Sequence, residues 1–259
     1  MFCKDGVSCV NRIDVDNQLG NLFSHLNNTG LLPKPETTAL TFEKHHNVLI
    51  SNDVVPYDLA KKTLNFLKTV LFDLNAPLIN DNDNHPRNIC YNYPSKGIPE
   101  EYKSRYESPK EFIWEYYKIN MYRLTPMNLR AFYGSPLIEL IRIILWRWWL
   151  NEEINVKNLV YTTIVLQKIS KGGHIGMHDD KAIGRRISFV YYLTDEDWSI
   201  EDGGLLGVDD ITGKIQIPPK FNSMVSWKMK DHVSPLHEVT KINSDKARYA
   251  LVGFWNDKV

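Results

Sequence analysis

The sequence predicts a mostly β fold with supporting helices, arranged as a sandwich or jelly roll, and three observations carry that expectation. From residue 156 onward short β-rich runs recur, at 158–168, 185–194, 204–208, 213–217, 223–228 and 248–256. Turn signals separate them: Gly172-Gly173, Asp202-Gly203-Gly204, Thr212-Gly213 and Pro218-Pro219. Helical periodicity is confined to two segments, both N-terminal to these runs.

Taken in order, residues 1–46 are polar and irregular, with Asn27-Asn28, Pro33 and Pro35 marking a loop-rich N-terminal extension. At 47 the pattern changes. Residues 47–50 read as a short strand, and Leu59, Thr63, Phe66, Leu67, Val70, Leu71 and Leu74 then follow at helical spacing. Residues 76–110 are dense in Asn, Asp, Pro and Tyr without a sustained period, which reads as a long excursion or lid. Ser135 followed by Pro136 starts a second helix, with a hydroxyl free to cap, proline at the first helical position and Glu139 in the first turn. From there to Leu150 it is apolar nearly all round and is expected to be buried, its Arg142 and Arg147 snorkelling or paired. The expected organisation is a single domain over 47–259, with helical support and lid at 47–154 and the jelly-roll core at 155–257.

Composition narrows the function classes. Lys plus Arg and Asp plus Glu are equal at 31 each, and no basic, aromatic-interleaved stripe appears, so neither nucleic acid nor an acidic membrane surface is an expected partner. Three cysteines, Cys3, Cys9 and Cys90, are odd in number and match no metal-ligand spacing, which favours a reducing compartment over a disulfide-stapled secreted fold. No secretory signal is visible at Met1-Phe2-Cys3, and Leu137–Leu150 is too short and too charged to span a bilayer. The expectation is a soluble, cytoplasmic protein; nothing in the sequence sets its oligomeric state.

The chemistry concentrates in the C-terminal third. If residues 174–180 are extended, the period of two sends His178 and Asp180 to one side and Asp179 to the other. His237, 57 residues beyond Asp180, completes a three-ligand cap once a sheet folds the chain back. Two histidines and a carboxylate on one face leave coordination positions open, as non-heme Fe(II) oxygenation requires. Arg248 lies eleven residues beyond His237, and its planar, permanently charged fork matches a carboxylate in two-point fashion. Alone, an H-x-D triplet is common in a chain with eight histidines.

Its setting is more specific. After Asp180 come Arg185-Arg186-Ile187-Ser188-Phe189-Val190-Tyr191-Tyr192-Leu193-Thr194, Asp197-Trp198, Gly203-Gly204-Leu205, His237-Glu238-Val239 and Arg248-Tyr249-Ala250. This order resembles the prolyl-hydroxylase-like branch of the Fe(II)/2-oxoglutarate dioxygenases, and the His-Asp-Asp variant is most similar to its Tpa1/Ofd1 type. The resemblance covers roughly residues 155–257, and the strand-then-helix opening at 47 shares it. It implies a double-stranded β-helix core, with His178, Asp180 and His237 as iron ligands and catalytic centre. Arg248 is implied to hold the distal carboxylate of 2-oxoglutarate, with a hydrogen bond added by Tyr192. O2 is the implied co-reactant and ascorbate an accessory reductant. A carboxylate at 180, rather than a small residue, implies hydroxylation and not halogenation. One departure stands out: Ile169 and Ser170 precede Lys171-Gly172-Gly173, where many members carry a tyrosine.

The expected activity is hydroxylation of an unactivated C–H, the leading substrate being a prolyl side chain in a peptide or protein. A free amino acid or a small peptide natural product is the alternative substrate. The alternative of another class is a jelly-roll binding or sensor protein with a vestigial metal site. Among the remaining candidates, His174 reads equally as a substrate contact or a solvated loop residue, Trp198 and Trp227 read as packing, and His45-His46 reads as surface. Phe254 falls where related enzymes place a bulky aromatic over the cosubstrate.

Overall fold

The computed structural model describes residues 42–45, 48–68, 87–91, 112–120, 159–180, 184–210, 213–229 and 235–257, together with Ile141 and Leu145. Its elements are β1 (Phe42–His45), β2 (Val48–Ser51), α1 (Tyr57–Phe66), β3 (Arg87–Tyr91), β4 (Phe112–Asn120), β5 (Leu159–Ile169), β6 (Ile175–His178), β7 (Arg185–Tyr192), β8 (Leu206–Asp210), β9 (Gly213–Ile217), β10 (Ser223–Lys228), β11 (Leu236–Val239) and β12 (Arg248–Asp257). They form an eight-stranded sheet ordered β1-β2-β10-β7-β12-β5-β4-β3 and a four-stranded sheet ordered β6-β11-β8-β9. Neighbours are antiparallel throughout, which is the expected mostly β jelly roll.

The two sheets share one core. Val190 and Tyr192 of β7, Val225 and Trp227 of β10 and Ala250 of β12 pack with Leu206 and Val208 of β8 and Ile217 of β9. Each such fully buried aliphatic side chain contributes roughly 1.5–3 kcal/mol. The paired tyrosines of β7 divide by the period of two. Tyr192 enters this inter-sheet core, whereas the Tyr191 hydroxyl donates to Asn222 Oδ1 at 2.9 Å. Asn222 also exchanges hydrogen bonds with Val55 (3.1 and 2.8 Å), fastening the entry of α1 to the start of β10. Its positive φ of 57° is one that asparagine tolerates.

The expected strands at 158–168, 185–194, 204–208, 213–217, 223–228 and 248–256 correspond to β5, β7, β8, β9, β10 and β12. Four strands lacked a sequence signal of their own. β1 lies within the segment read as an irregular extension, β3 within the segment read as an excursion, and β4 and β11 were not anticipated. Their membership is set by partners: β1 pairs along its whole length with β2, β3 and β4 continue the sheet beyond β5, and β11 sits between β6 and β8. The first expected helix begins two residues early, at Tyr57, with Asp58 in its first turn. Leu59, Thr63, Leu64 and Leu67 are buried, and the part beyond residue 68 lies outside the described residues. Of the second, Ile141 and Leu145 are helical and fully buried; its Ser135-Pro136 start and the rest lie outside. Among the described residues no helix is long and apolar enough to cross a membrane.

The Gly203-Gly204 pair has a physical reason. Gly203 adopts φ 76° and ψ −151°, a region that is essentially glycine-only, and it packs against the Lys241 carbonyl where it bridges to Ile242. Gly203→Ala is therefore expected to cost at least about 1–3 kcal/mol, read as a lowered midpoint of thermal unfolding.

The turn before it is held electrostatically. Asp202 accepts from the Ser199 backbone N–H (2.7 Å) and from Lys246 Nζ (3.0 Å). The Ser199 N–H first, and Lys246 after it, hold the carboxyl down at about 2, below its ordinary 3.8. A depressed folded-state value contributes stability above the ordinary value and loses it as acid approaches the folded one. Asp202→Asn is expected to flatten the stability curve between about pH 4 and about pH 2, checked by chemical denaturation across that window.

Candidate metal centre

Strands β6 and β11 are neighbours in the small sheet, and their register sets His178 opposite His237. Directly opposed residues share a face, and the ring centroids lie 4.2 Å apart. Each ring is oriented by its own chain: His178 Nδ1 is 2.7 Å from the Gly176 carbonyl oxygen and His237 Nδ1 is 2.9 Å from that of Pro235. A carbonyl oxygen only accepts, so both Nδ1 atoms carry a proton and both Nε2 atoms face the centre as ligand atoms. His178 Nε2 is 3.9 Å from Asp180 Oδ1, and His237 Nε2 is 3.4 Å from Asp180 Oδ2. The three donor atoms lie within 4.8 Å of one another.

The charges suit a divalent cation. Burial first, then the neighbouring His237, pulls His178 down to about 4, so it is neutral near pH 7. Burial pushes Asp180 up, but His237, His178 and Arg185 outweigh it and hold the carboxyl well below its usual range. For His237, burial acts downward and Asp180 acts upward, with a net rise. A proton on His237 and a cation thus compete for the space beside the Asp180 carboxylate.

The expected route by which Asp180 reaches this point needs correction. β6 ends at His178, so the period of two does not extend to residue 180. Asp180 is held from the other sheet instead. Arg185 Nη1 donates to the Asp180 backbone carbonyl at 2.7 Å, and Ser188 Oγ donates to Asp180 Oδ2 at 3.2 Å. The Arg185 guanidinium lies 3.7 Å over the Phe254 ring. Arg185 and Ser188 both lie in the motif order after Asp180, and neither had an expected role there. Trp227, expected as packing, lines the centre, its ring centroid 4.9 Å from that of His237.

A second feature lies on the inner face of the large sheet. Ala250 pairs with Tyr192, and Arg248 follows two residues away on the same face of β12. Arg248 is 1% exposed, with its guanidinium 4.8 Å from the Tyr192 ring centre. Among the described residues its Nε and Nη1, and the Tyr192 hydroxyl, have no hydrogen-bond partner, and no carboxylate pairs with it. Burial presses the Arg248 pKa downward and the Tyr192 pKa upward, which leaves a guanidinium cation beside a neutral phenol donor. A buried cation with unused donors is stable only opposite an anion. Gly204 makes room for it, since a Cβ there would meet Arg248 Cδ at 3.3 Å and Trp198 Cζ2 at 3.2 Å. The donor set of the cluster therefore fits a divalent metal, and the buried guanidinium with the Tyr192 hydroxyl fits an anion.

The other candidates fall elsewhere. His174 is half-buried, with Nδ1 3.4 Å from the Gly172 carbonyl, and is not part of the cluster. Trp198 donates to the Gly203 carbonyl at 3.0 Å, a packing role as expected. Ile169 pairs with Arg248, so the position where related sequences carry a tyrosine lies beside the guanidinium.

Residues 164–256 match the family model described as the 2OG-Fe(II) oxygenase superfamily. Prolyl 3-hydroxylase OGFOD1 of Xenopus laevis is 34% identical over 121 residues, 43% of this chain and 23% of the relative. Prolyl 3,4-dihydroxylase OGFOD1 of Ostreococcus tauri is 32% identical over 100 residues, 34% of this chain and 19% of the relative. The chain thus spans less than a quarter of the length of these relatives. Among solved structures, a prolyl hydroxylase from Trichoplax adhaerens, in complex with a hypoxia inducible factor oxygen degradation domain peptide fragment, superposes with a TM-score of 0.53. It is 16% identical, over 97% of this chain and 94% of that chain, a likeness of fold.

Proposed function

We propose, on the premise that residues 164–256 form a 2OG-Fe(II) oxygenase domain, that the protein is an Fe(II)- and 2-oxoglutarate-dependent dioxygenase that hydroxylates a prolyl side chain in a peptide or protein. The observation that carries it is the pairing of a His-Asp-His cluster with a buried guanidinium that has no carboxylate partner among the described residues. His178, Asp180 and His237 would hold the metal, and Arg248 with Tyr192 would hold the distal carboxylate of 2-oxoglutarate. Bound together, metal and cosubstrate supply the oxidising power that inserts one atom of O2 into a C–H bond, with succinate and CO2 as coproducts.

The chain's own residues present the ligands and exclude water. The two Nδ1 hydrogen bonds lock the imidazoles in the ligating tautomer, and the buried Asp180 stays ionised to complete the cap. Arg248 sets the distance and orientation of the cosubstrate, and Trp227, packed on His237, shields the centre from water. The OGFOD1 relatives support the prolyl substrate. The balanced charge supports a peptide rather than nucleic acid, and the odd cysteine count supports an intracellular setting.

The test is succinate formation from 2-oxoglutarate with Fe(II), ascorbate and O2, comparing proline-containing peptides with free amino acids. Stimulation by peptides, with a mass gain of one oxygen on proline, is the expected result. Stimulation by free amino acids alone would move the substrate to the small-molecule class. A protein that binds neither metal nor 2-oxoglutarate would be a vestigial site.

A further inference from the structure

The three ligands of the proposed centre are not held by the same part of the fold. His178 and His237 are fixed within the small sheet by their cross-strand register and by carbonyl oxygens of their own strands' approach. Asp180 lies beyond the end of β6, so no sheet ladder fixes its backbone. It is anchored from β7 in the large sheet: Arg185 Nη1 donates to its backbone carbonyl at 2.7 Å and lies 3.9 Å from Oδ1, and Ser188 Oγ donates to Oδ2 at 3.2 Å.

Resting on the reading of the site as a metal centre, we infer that Arg185 and Ser188 are positioning residues for the carboxylate ligand, clamping Asp180 at its main chain and at one carboxylate oxygen. Ser188 is fully buried, so its hydroxyl has no water to turn to, and the donation to Asp180 fixes the rotation of the carboxylate. With one oxygen engaged by Ser188, the carboxylate offers the metal one oxygen rather than two, which preserves the open positions that cosubstrate and O2 need. Ser188 is itself anchored: its carbonyl accepts from Ser226 Oγ at 2.8 Å, and it pairs with Trp227, whose ring packs on His237. Arg185 braces the other end, since its guanidinium rests on Phe254 of β12 while it reaches the Asp180 carbonyl. Lysine could supply the charge but not a planar group that stacks and donates at once. The geometry of the centre therefore depends on how the two sheets pack, through β7.

The test is Co(II) binding to metal-free wild-type, Asp180→Ala, Ser188→Ala, Ser188→Thr and Arg185→Lys proteins, followed by visible absorption without cosubstrate or turnover. Wild type is expected to bind and Asp180→Ala to fail. Ser188→Ala and Arg185→Lys are each expected to lose about 10–100-fold in affinity, the scale for groups that orient a ligand. Ser188→Ala is also expected to alter the absorption band as the freed carboxylate changes its binding mode, and Ser188→Thr, which keeps the hydroxyl, to restore affinity and band. A purely structural role would lower the thermal midpoint of Ser188→Ala while leaving affinity and band of the folded protein unchanged, and that result overturns the inference with the metal centre intact. A wild type that binds no Co(II) overturns both the inference and the functional reading beneath it.

Discussion

Asp180→Ala is expected to abolish succinate formation and to weaken metal binding by more than the about 10–100-fold typical of groups that merely orient a ligand. The size follows from what the residue supplies. Among the described residues Asp180 is the single carboxylate in the cluster, and its charge offsets a dication held by two neutral imidazoles. Its side chain is only 13% exposed, so water cannot take its place cheaply. Its removal also takes away the group that raises the His237 pKa, which should then fall toward or below its ordinary value. The measurement is a Mn(II) titration of the metal-free protein, with a pH titration of the histidine ring protons by NMR. Full turnover by the alanine protein would sink the assigned triad.

Arg248→Met is expected to raise the 2-oxoglutarate requirement about 30-fold or more, the equivalent of roughly 2 kcal/mol at the low end for losing one partner of a buried charge pair. Its second consequence distinguishes a binding residue from a structural one. Among the described residues Arg248 is buried with unused donors and no carboxylate partner, so replacing it by an apolar side chain of similar length should leave the cosubstrate-free protein as stable as wild type, or more so. Added 2-oxoglutarate should raise the thermal midpoint of the wild type and not that of the variant. Arg248→Lys should recover little, because an ammonium lacks the two-point fork. A variant whose 2-oxoglutarate requirement stays within about threefold of wild type would remove the guanidinium from the cosubstrate site, since 1.4 kcal/mol is a factor of ten.

Much of the site was legible because its chemistry is tied to residue type. Two histidines and a carboxylate are the donor set of the metal class proposed, and a permanently charged planar fork matches a carboxylate at two points. The long strands β5, β7 and β12 were legible because they run for eight to eleven residues and are rich in β-branched, aromatic and aliphatic side chains. β11 was not, since Leu236–Val239 is four residues with two of them polar, and its pairing with both β6 and β8 is what makes it a strand. The same holds for β3 and β4, which join the sheet through β5.

The sequence by itself determined the inventory: which groups can ligate, which positions turn, and which alternations bury one face. These are properties of a residue and its few neighbours. Only the tertiary structure decided that both imidazoles present Nε2, that Asp180 is held by Arg185 and Ser188 rather than by its own strand, and that Arg248 is buried with donors left unpartnered among the described residues. Each of those depends on which distant strand lies alongside and on how much water the two packed sheets exclude, and no local period encodes either.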